Sequence, residues 1–318
     1  MINLKAGRYF LEITRCHSIR QAADRLHLAP SALSRQIANL ERELGAELLE
    51  RRSNGVQLTE AGLLLRDRLT EIFARLDYLE SDLTDLQGMR TGRVTIATVE
   101  GVTRAFLAHC ITAFTAENPG VRFRVLIRSR DRVFEALEQY DCHIGFVYDH
   151  FTHPVIEPLG QWRQPLMAFV PPGHPLAQGA PVSLQEVASY SYVLPDESFG
   201  IHQLLVRTWK KLGQMVKPVI VSNQLQFLIA YAMQASAILF VPAQAVQAEL
   251  EAGTLVPVNL DCPDFQHRHI SAAIRRDRQL PQSAETFLHG AVAGFPAWQA
   301  RDEDILTRAR LRHWVDQA

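Results

Sequence analysis

The sequence predicts an α/β chain with an all-helical head. Three observations carry this: two helical periods joined by a tight turn over 18–45, a leucine heptad over 65–86, and short β-branched segments alternating with helices from Arg93 onward. The chain has 318 residues, 47% of them hydrophobic and 21% charged, which is ordinary globular composition with room for two or three domains. The formal net charge is -1, so affinity for a polyanion has to be local to one domain.

The head opens with a helix over residues 4–14, whose Leu4, Phe10, Leu11 and Ile13 are available to a core. Ser18 then caps a second helix, because its side-chain oxygen can accept from the unpaired amides of the first turn. Ala22, Ala23 and Leu26 make that helix's inner face small, so a partner helix can approach closely. Pro30 fits the first turn of the third helix, Gly45 stops it, and Leu28, Leu33, Ile37, Leu40 and Leu44 form its apolar stripe. Its other face shows Ser31, Ala32, Ser34, Arg35, Gln36 and Asn39, short donors and one guanidinium suited to base edges and phosphates in a major groove.

A helical hairpin with a merely solvated face is the alternative, and the next segment decides against it. Residues 51–59, RRSNGVQLT, place Arg51 and Arg52 before an Asn-Gly turn, which reads as a basic β-hairpin wing. Through residue 58 there are nine Lys and Arg against six Asp and Glu, so the basic excess lies where such a reader needs it. From Thr59 a long helix follows, with Leu65, Leu69, Ile72, Leu76, Leu79, Leu83 and Leu86 at alternating spacings of four and three. A helix of about 45 Å with that seam cannot bury it alone, so pairing with a second copy is expected over docking on its own body.

The run FLEITRCHSIRQAADRLHLAPSALSRQIANLERELGAELLERRSNGVQLTEAG resembles the N-terminal winged helix-turn-helix of LysR-type transcriptional regulators. Ala22-Ala23, Leu26, Ser34-Arg35, Leu40-Glu41, Leu44-Gly45, Leu48, Arg51 and Leu58-Thr59 all stand at the family's spacing. One departure is Ala29-Pro30-Ser31, where the family commonly opens its reading helix with Ser-Gln-Pro, so an amide that often reads a base is absent. The DNA-contacting residues implied are Ser18, Pro30, Ser31, Ser34, Arg35, Gln36, Arg51 and Arg52.

Beyond the linker glycines Gly88 and Gly92, VTIATV, VRFRVLI, PLMAFVPPGHPLA, YSYVLP, PVIVSN, AILFVP and HRHISAAIR supply strands, and the alternation implies parallel strands with crossover helices. Helices are expected at 131–139, 200–212, 224–234 and 243–252, and an extra one over 297–318 with Leu306, Leu311 and Trp314 partly apolar. GRVTIATVEGV, HIGFVY, PGHPLA and the LFVP strand end are similar to the LysR-type effector-binding domain, two α/β lobes joined by crossing strands as in periplasmic solute-binding proteins. Here His143 replaces a usual Asp, Tyr140 a common Gly, and Ala235 and Ala237 two usual glycines.

The organisation expected is a DNA-binding domain at 1–58, a dimerisation helix at 59–90, an effector-binding domain at 91–300 and a helical tail at 301–318. Lobe I takes about 91–162 and 268–300, and lobe II about 163–267. In a two-lobed binder the ligand lies at strand C-termini, where helix N-termini offer amides. The resemblance then implies Thr98, Val99, Glu100, Gly101, Ser129, Arg130, Phe146, Tyr148, Phe199, Gly200, His202, Asn223 and Gln224 around a small organic effector, with Thr98 and Ser129 as the main polar contacts. Arg104 lies one turn beyond Glu100, so an ion pair between them is the expectation.

No catalytic motif stands in a plausible context, so no enzyme and no cofactor is expected. The pairs His150/His153 and His267/His269 lack companion ligands, so no metal is expected. Cys16, Cys110, Cys142 and Cys262 are far apart and read as inert thiols. No signal-peptide core and no run near ~20 apolar residues is present, which places the protein in the cytoplasm and off the membrane. The expected partners are double-stranded DNA with an interrupted palindrome, a second copy in a homodimer or homotetramer, and, in this family, RNA polymerase. A solute-binding protein without DNA function is the rival, and the basic winged segment argues against it.

Overall fold

The computed structural model describes residues 3–315 except 53–54, 87–90, 149, 214 and 216; the side chains of 51–52, 77–78, 80–82, 84–86 and 311–315 also lie outside the described residues. The chain divides into two compact units, Met1–Glu80 and Ser81–Ala318.

In the first unit α1 (Leu4–Cys16), α2 (Ile19–Leu26) and α3 (Pro30–Leu44) pack on one another through Phe10, Leu11, Ile13, Ala22, Ala23, Leu33, Ile37 and Leu40. Leu4 and Leu44 stay exposed, because each sits at the end of its helix beyond the reach of that core. Two short strands follow, β1 (Leu49–Arg52) and β2 (Gly55–Leu58), paired antiparallel. They are fixed to the helices at two points. The Glu41 carboxylate accepts from the amides of Leu48 at 2.9 Å and Leu49 at 3.3 Å, and the Val56 amide donates to His17 O at 3.1 Å. Gly55 sits at φ +134°, and a Cβ there would lie 2.5 Å from His17 O, so only glycine permits this approach.

α4 (Glu60–Leu86) is one continuous helix. The heptad divides along it. Leu69 is buried in the head's own core with Leu65 and Phe73 against it, whereas Ile72, Leu79 and Leu83 are exposed. The Leu86 side chain lies outside the described residues.

The second unit begins with β3 (Thr91–Thr98), α5 (Ala108–Glu117), β4 (Gly120–Ile127), α6 (Arg130–Glu138), β5 (Ile144–Tyr148) and β6 (Ile156–Arg163). The chain then builds β7 (Leu166–Val170), β8 (Val182–Ser183), α7 (Leu184–Val187), β9 (Tyr192–Pro195), α8 (Gly200–Lys211), β10 (Ile220–Ser222), α9 (Leu225–Ala235), β11 (Ile238–Pro242), α10 (Gln247–Ala252), β12 (Val256–Pro257) and β13 (Leu260–Asp261). It returns through β14 (His269–Arg275), α11 (Gln282–Ala293) and α12 (Phe295–Val315). Lobe I holds the sheet β4-β3-β5-β14-β6 and lobe II the sheet β10-β9-β11-β7-β12.

The sheets are mixed, which corrects the all-parallel expectation. β14 runs antiparallel to both its neighbours, and so does β7. These are the first strands formed after each crossing between lobes, and no crossover helix turns the chain around before them. The sequence pattern shows no strand at β6, because Pro158 and Gly160 interrupt it; both are tolerated at this sheet edge, beside a bulge at Ala272/Ala273. Two departures from the family pattern are accommodated locally. Tyr140 adopts φ +58°, and its ring is covered by the Arg275 and Arg278 guanidinium groups at 4.6 and 4.9 Å, an attraction that offsets the strain. His143 accepts from the Thr95 amide through Nδ1 at 3.1 Å, and burial holds its imidazole down to about 3, hence neutral.

The expected C-terminal tail is the second half of α12, which starts at Phe295 and packs on the body through residues 295–309; the side chains of Leu311 and Trp314 lie outside the described residues. Phe295 and Trp298 join Phe106 and Trp162 in lobe I, and Ile305 and Ala309 enter the core of lobe II beside Leu250. Between them Asp302, only 5% exposed, accepts from the Gln164 side-chain amide at the β6–β7 crossing. The helix therefore braces both lobes across their connection.

Burial pushes the Asp302 carboxyl up from 3.8 to about 6. An acid raised in the fold contributes stability that is fully present below its unfolded value and lost as pH rises through its folded value, here between about 4 and 6. D302N, nearly isosteric and uncharged, is expected to flatten that loss and to stabilise the protein at pH 7.5 by about 2–3 kcal/mol relative to its effect at pH 4. Denaturant melts of both proteins at the two pH values check this; parallel pH dependence would show Asp302 ionises freely in the fold.

Candidate effector cavity and nucleic-acid interface

The exposed face of α3 carries Ser31, Arg35 and Gln36, with Ser34 partly covered and Pro30 exposed at the first turn. Among the described residues no carboxylate pairs with Arg35, whereas Arg25 is held by Glu12 at 3.2 Å and Arg42 donates to the Asn39 amide oxygen at 3.0 Å. Ser18 is committed to α2, its Oγ accepting from the Gln21 amide at 3.3 Å. The Arg51 and Arg52 side chains lie outside the described residues; their backbone is in β1.

In the second unit a cavity of about 220 Å³ opens between the lobes. Lobe I contributes the turn Val99–Val102, the β4 end with Ile127 and Arg128, and Ser129, Arg130, Tyr148 and Ile270. Lobe II contributes Ser198, Phe199, Gly200 and Ile201 at the start of α8, with Asn223, Leu225 and Pro242. Strand C-termini meet helix N-termini here, so backbone amides are aimed at the space. Ser129 is the N-cap residue of α6, but its hydroxyl makes no cap bond. The walls are otherwise mostly apolar, with two guanidinium groups and one carboxylate.

Four expected lining residues are not in these walls. Thr98 is fully buried, its hydroxyl donating to Val99 O at 3.1 Å, because strand alternation turns the last residue of β3 into the sheet. Phe146 points the same way into the lobe I core, edge-on to Phe106 at 5.5 Å. His202 lies in the first turn of α8, with Nδ1 2.8 Å from Pro195 O, and Gln224 is an exposed N-cap residue outside the cavity. Val102, Ile127, Arg128, Ser198, Ile201, Leu225, Pro242 and Ile270 are in the walls without having been expected. A strand-end argument names the last residue or two of a strand, and several of these come from strands it did not consider.

The expected Glu100–Arg104 pair does not form. Residues 100–107 coil as a 3₁₀ turn and then a π turn, so the α-helical spacing that brings i and i+4 together is absent. Arg104 Nη1 instead lies 2.9 Å from Glu249 Oε1 in lobe II. Glu100 accepts from the first amides of α9, Leu225 N at 3.0 Å and Gln226 N at 3.4 Å.

All four thiols are held in the protonated form by burial, Cys110 up to about 11 and Cys142 up to about 12, with Cys16 and Cys262 also raised. Among the described residues no group of three or more His, Cys, Asp or Glu could hold a metal ion, and no helix is long and apolar enough to cross a membrane.

A basic head with an exposed reading helix, joined to a two-lobed body with an inter-lobe cavity, defines a ligand-responsive DNA-binding protein as a class. Residues 4–63 match the bacterial regulatory helix-turn-helix protein model of the lysR family, and residues 87–295 match the LysR substrate binding domain. The chain belongs to the LysR family of transcriptional regulators, proteins that bind DNA operators. It is 26% identical over 287 residues to a RuBisCO operon transcriptional regulator of Allochromatium vinosum, covering 90% of this chain and 94% of that one. It is 27% identical over 300 residues to the transcriptional dual regulator GltC of Bacillus subtilis, covering 92% and 98%. Among solved structures, full-length OxyR from Pseudomonas aeruginosa aligns at TM-score 0.70 and 15% identity, covering 92% of this chain and 95% of that one. Full-length CbnR in complex with its target DNA aligns at 0.60 and 20%, covering 92% and 99%.

The raised thiols predict slow chemistry. After brief exposure to a stoichiometric amount of peroxide at pH 7.5, mass spectrometry should find Cys110 and Cys142 unoxidised; rapid oxidation at either would contradict their burial.

Proposed function

We propose that this regulator acts in the cytoplasm as a homodimer or homotetramer on an interrupted palindrome, and that a small organic effector bound between its lobes sets operator occupancy or bending without being chemically altered. The observation that supports this reading best is the cavity lined from both lobes, where uncapped Ser129 offers a hydroxyl among apolar walls. A ligand touching both lobes binds one inter-lobe angle better than another, and that differential affinity is what shifts a conformational equilibrium. Val99, Glu100, Gly101, Ser129, Arg130, Tyr148, Phe199, Gly200 and Asn223 are the proposed effector contacts.

On the head, Pro30, Ser31, Ser34, Arg35 and Gln36 of α3 enter the major groove, Arg35 having no competing carboxylate among the described residues, while Arg51 and Arg52 on the wing clamp phosphates. Ser18 keeps α2 in register from its cap position. The dimer seam is the outer stretch of α4 at Ile72, Leu76, Leu79 and Leu83, three of which are exposed in the single chain, with Leu86 next in the series. RNA polymerase is a further partner of the DNA-bound form.

Reading and sensing should separate. Arg35→Ala is expected to weaken operator binding by ~1–3 kcal/mol and to relax sequence preference at one position. Ser129→Ala should leave operator affinity near the parent's and reduce the transcriptional response to the cognate effector. Footprinting and a reporter assay run side by side check both, and a parental response in Ser129→Ala would place the effector elsewhere. Leu79→Glu puts a carboxylate in the apolar seam, so sedimentation should show a smaller species; an unchanged assembly would exclude this stretch of α4 as the seam.

A further inference from the structure

Helix α9 opens the lobe II side of the cavity, and its N-cap residue Gln224 makes no side-chain cap bond. The anion that its first turn favours comes from the other lobe. Glu100 projects from the turn after β3, and its two carboxylate oxygens accept separately from Leu225 N at 3.0 Å and Gln226 N at 3.4 Å. Glu100 and Leu225 both line the cavity, so the contact lies within the space an effector would enter. Among the described residues no ion pair is made to this carboxylate: Arg104 turns to Glu249, and the guanidinium groups of Arg128 and Arg130 stand elsewhere in the cavity wall. Two further contacts join the same turn to lobe II. With its side-chain amide oriented to satisfy both groups, Gln244 donates to Gly101 O at 3.0 Å and accepts from Phe106 N at 2.8 Å.

We propose that Glu100 is a specificity-determining residue of the cavity: it supplies from within the chain the carboxylate that the α9 N-terminus would otherwise take from a ligand, and it ties the lobes together in doing so. The effector accordingly places no carboxylate or phosphate against α9. Any anionic group it carries is directed to the β4–α6 junction at Arg128 and Arg130, and the part against α9 is uncharged. This rests on the cavity being the effector site. Its test uses no effector, so it fails or succeeds separately from the Ser129→Ala assay.

The test is amide hydrogen exchange, read by mass spectrometry on peptides covering 223–228, in the full-length protein, Glu100→Ala and Glu100→Gln. Sodium acetate is the probe, titrated at constant ionic strength with sodium chloride. The parent should protect this segment with or without acetate. Glu100→Ala should exchange there at least tenfold faster, and acetate in the tens of millimolar should restore protection as it takes the vacated site. Glu100→Gln, which keeps an oxygen acceptor and the side-chain shape, should lie between the two, and parental exchange of Glu100→Ala in α5 and β11 shows that the alanine variant is folded elsewhere. Unchanged exchange in Glu100→Ala would overturn the cap. Acetate protection of the parent equal to that of the variant would overturn the claim that the site is already filled, and faster exchange without rescue would overturn the anion site.

Discussion

The C-terminal body depends on one covalent constraint: the chain crosses between its two lobes twice, from β6 to β7 and from β13 back to β14. Each sheet therefore contains a strand laid against the direction of its neighbours, and the C-terminal ends of the parallel strands β3, β4 and β5 in one lobe and β9, β10 and β11 in the other border one cavity. Helices α6, α8 and α9 begin at those ends, so their unpaired amides converge on the space. The crossing is also where α12 docks. Its aromatic start belongs to lobe I and its Ile305 and Ala309 to lobe II, and Asp302 meets Gln164 at the junction, whose own side-chain oxygen accepts from the Gln244 backbone amide at 3.4 Å.

The head follows a similar logic on a smaller scale. A two-stranded wing has too little apolar surface to hold itself in place. Here it is held by the Glu41 carboxylate on two successive amides and by the Val56–His17 backbone contact, which requires glycine at 55. Glu41 is an acid on α3, and its carboxylate is taken up by the two amides at the wing's entry. Ser31, Arg35 and Gln36 form the exposed polar face of that helix, while Asn39 accepts from Arg42.

The sequence alone determined whatever repeats at short range. The 3.6-residue period of α1, α2 and α3, the Ser18 cap, the Pro30 start and the Gly45 stop are all local, and each lies in the structure where the pattern puts it. Continuity of α4 was equally legible, and so were the strands at 94–98 and 238–242, because burial on both faces of a sheet leaves an apolar run, while the half-exposed strand at 121–127 showed in its β-branched and aromatic residues alternating with Arg122 and Arg124. The matching family models add only that these patterns recur together in other chains.

Tertiary structure decided what depends on distant partners. β6 is a strand because it is an edge that tolerates Pro158, which no local pattern announces. Leu65 and Leu69 belong to the same heptad as Leu79 and Leu83, but the head buries Leu69, partly covers Leu65 and leaves the second pair exposed. Thr98 lies beside the cavity in sequence and is turned away from it by one step of the pleat. Glu100 is the clearest case. Sequence proximity assigns it to Arg104, but the backbone there is not α-helical, and an oriented helix end 125 residues away in the other lobe takes both oxygens, because unpaired amides at a helix start are the stronger local demand for a carboxylate.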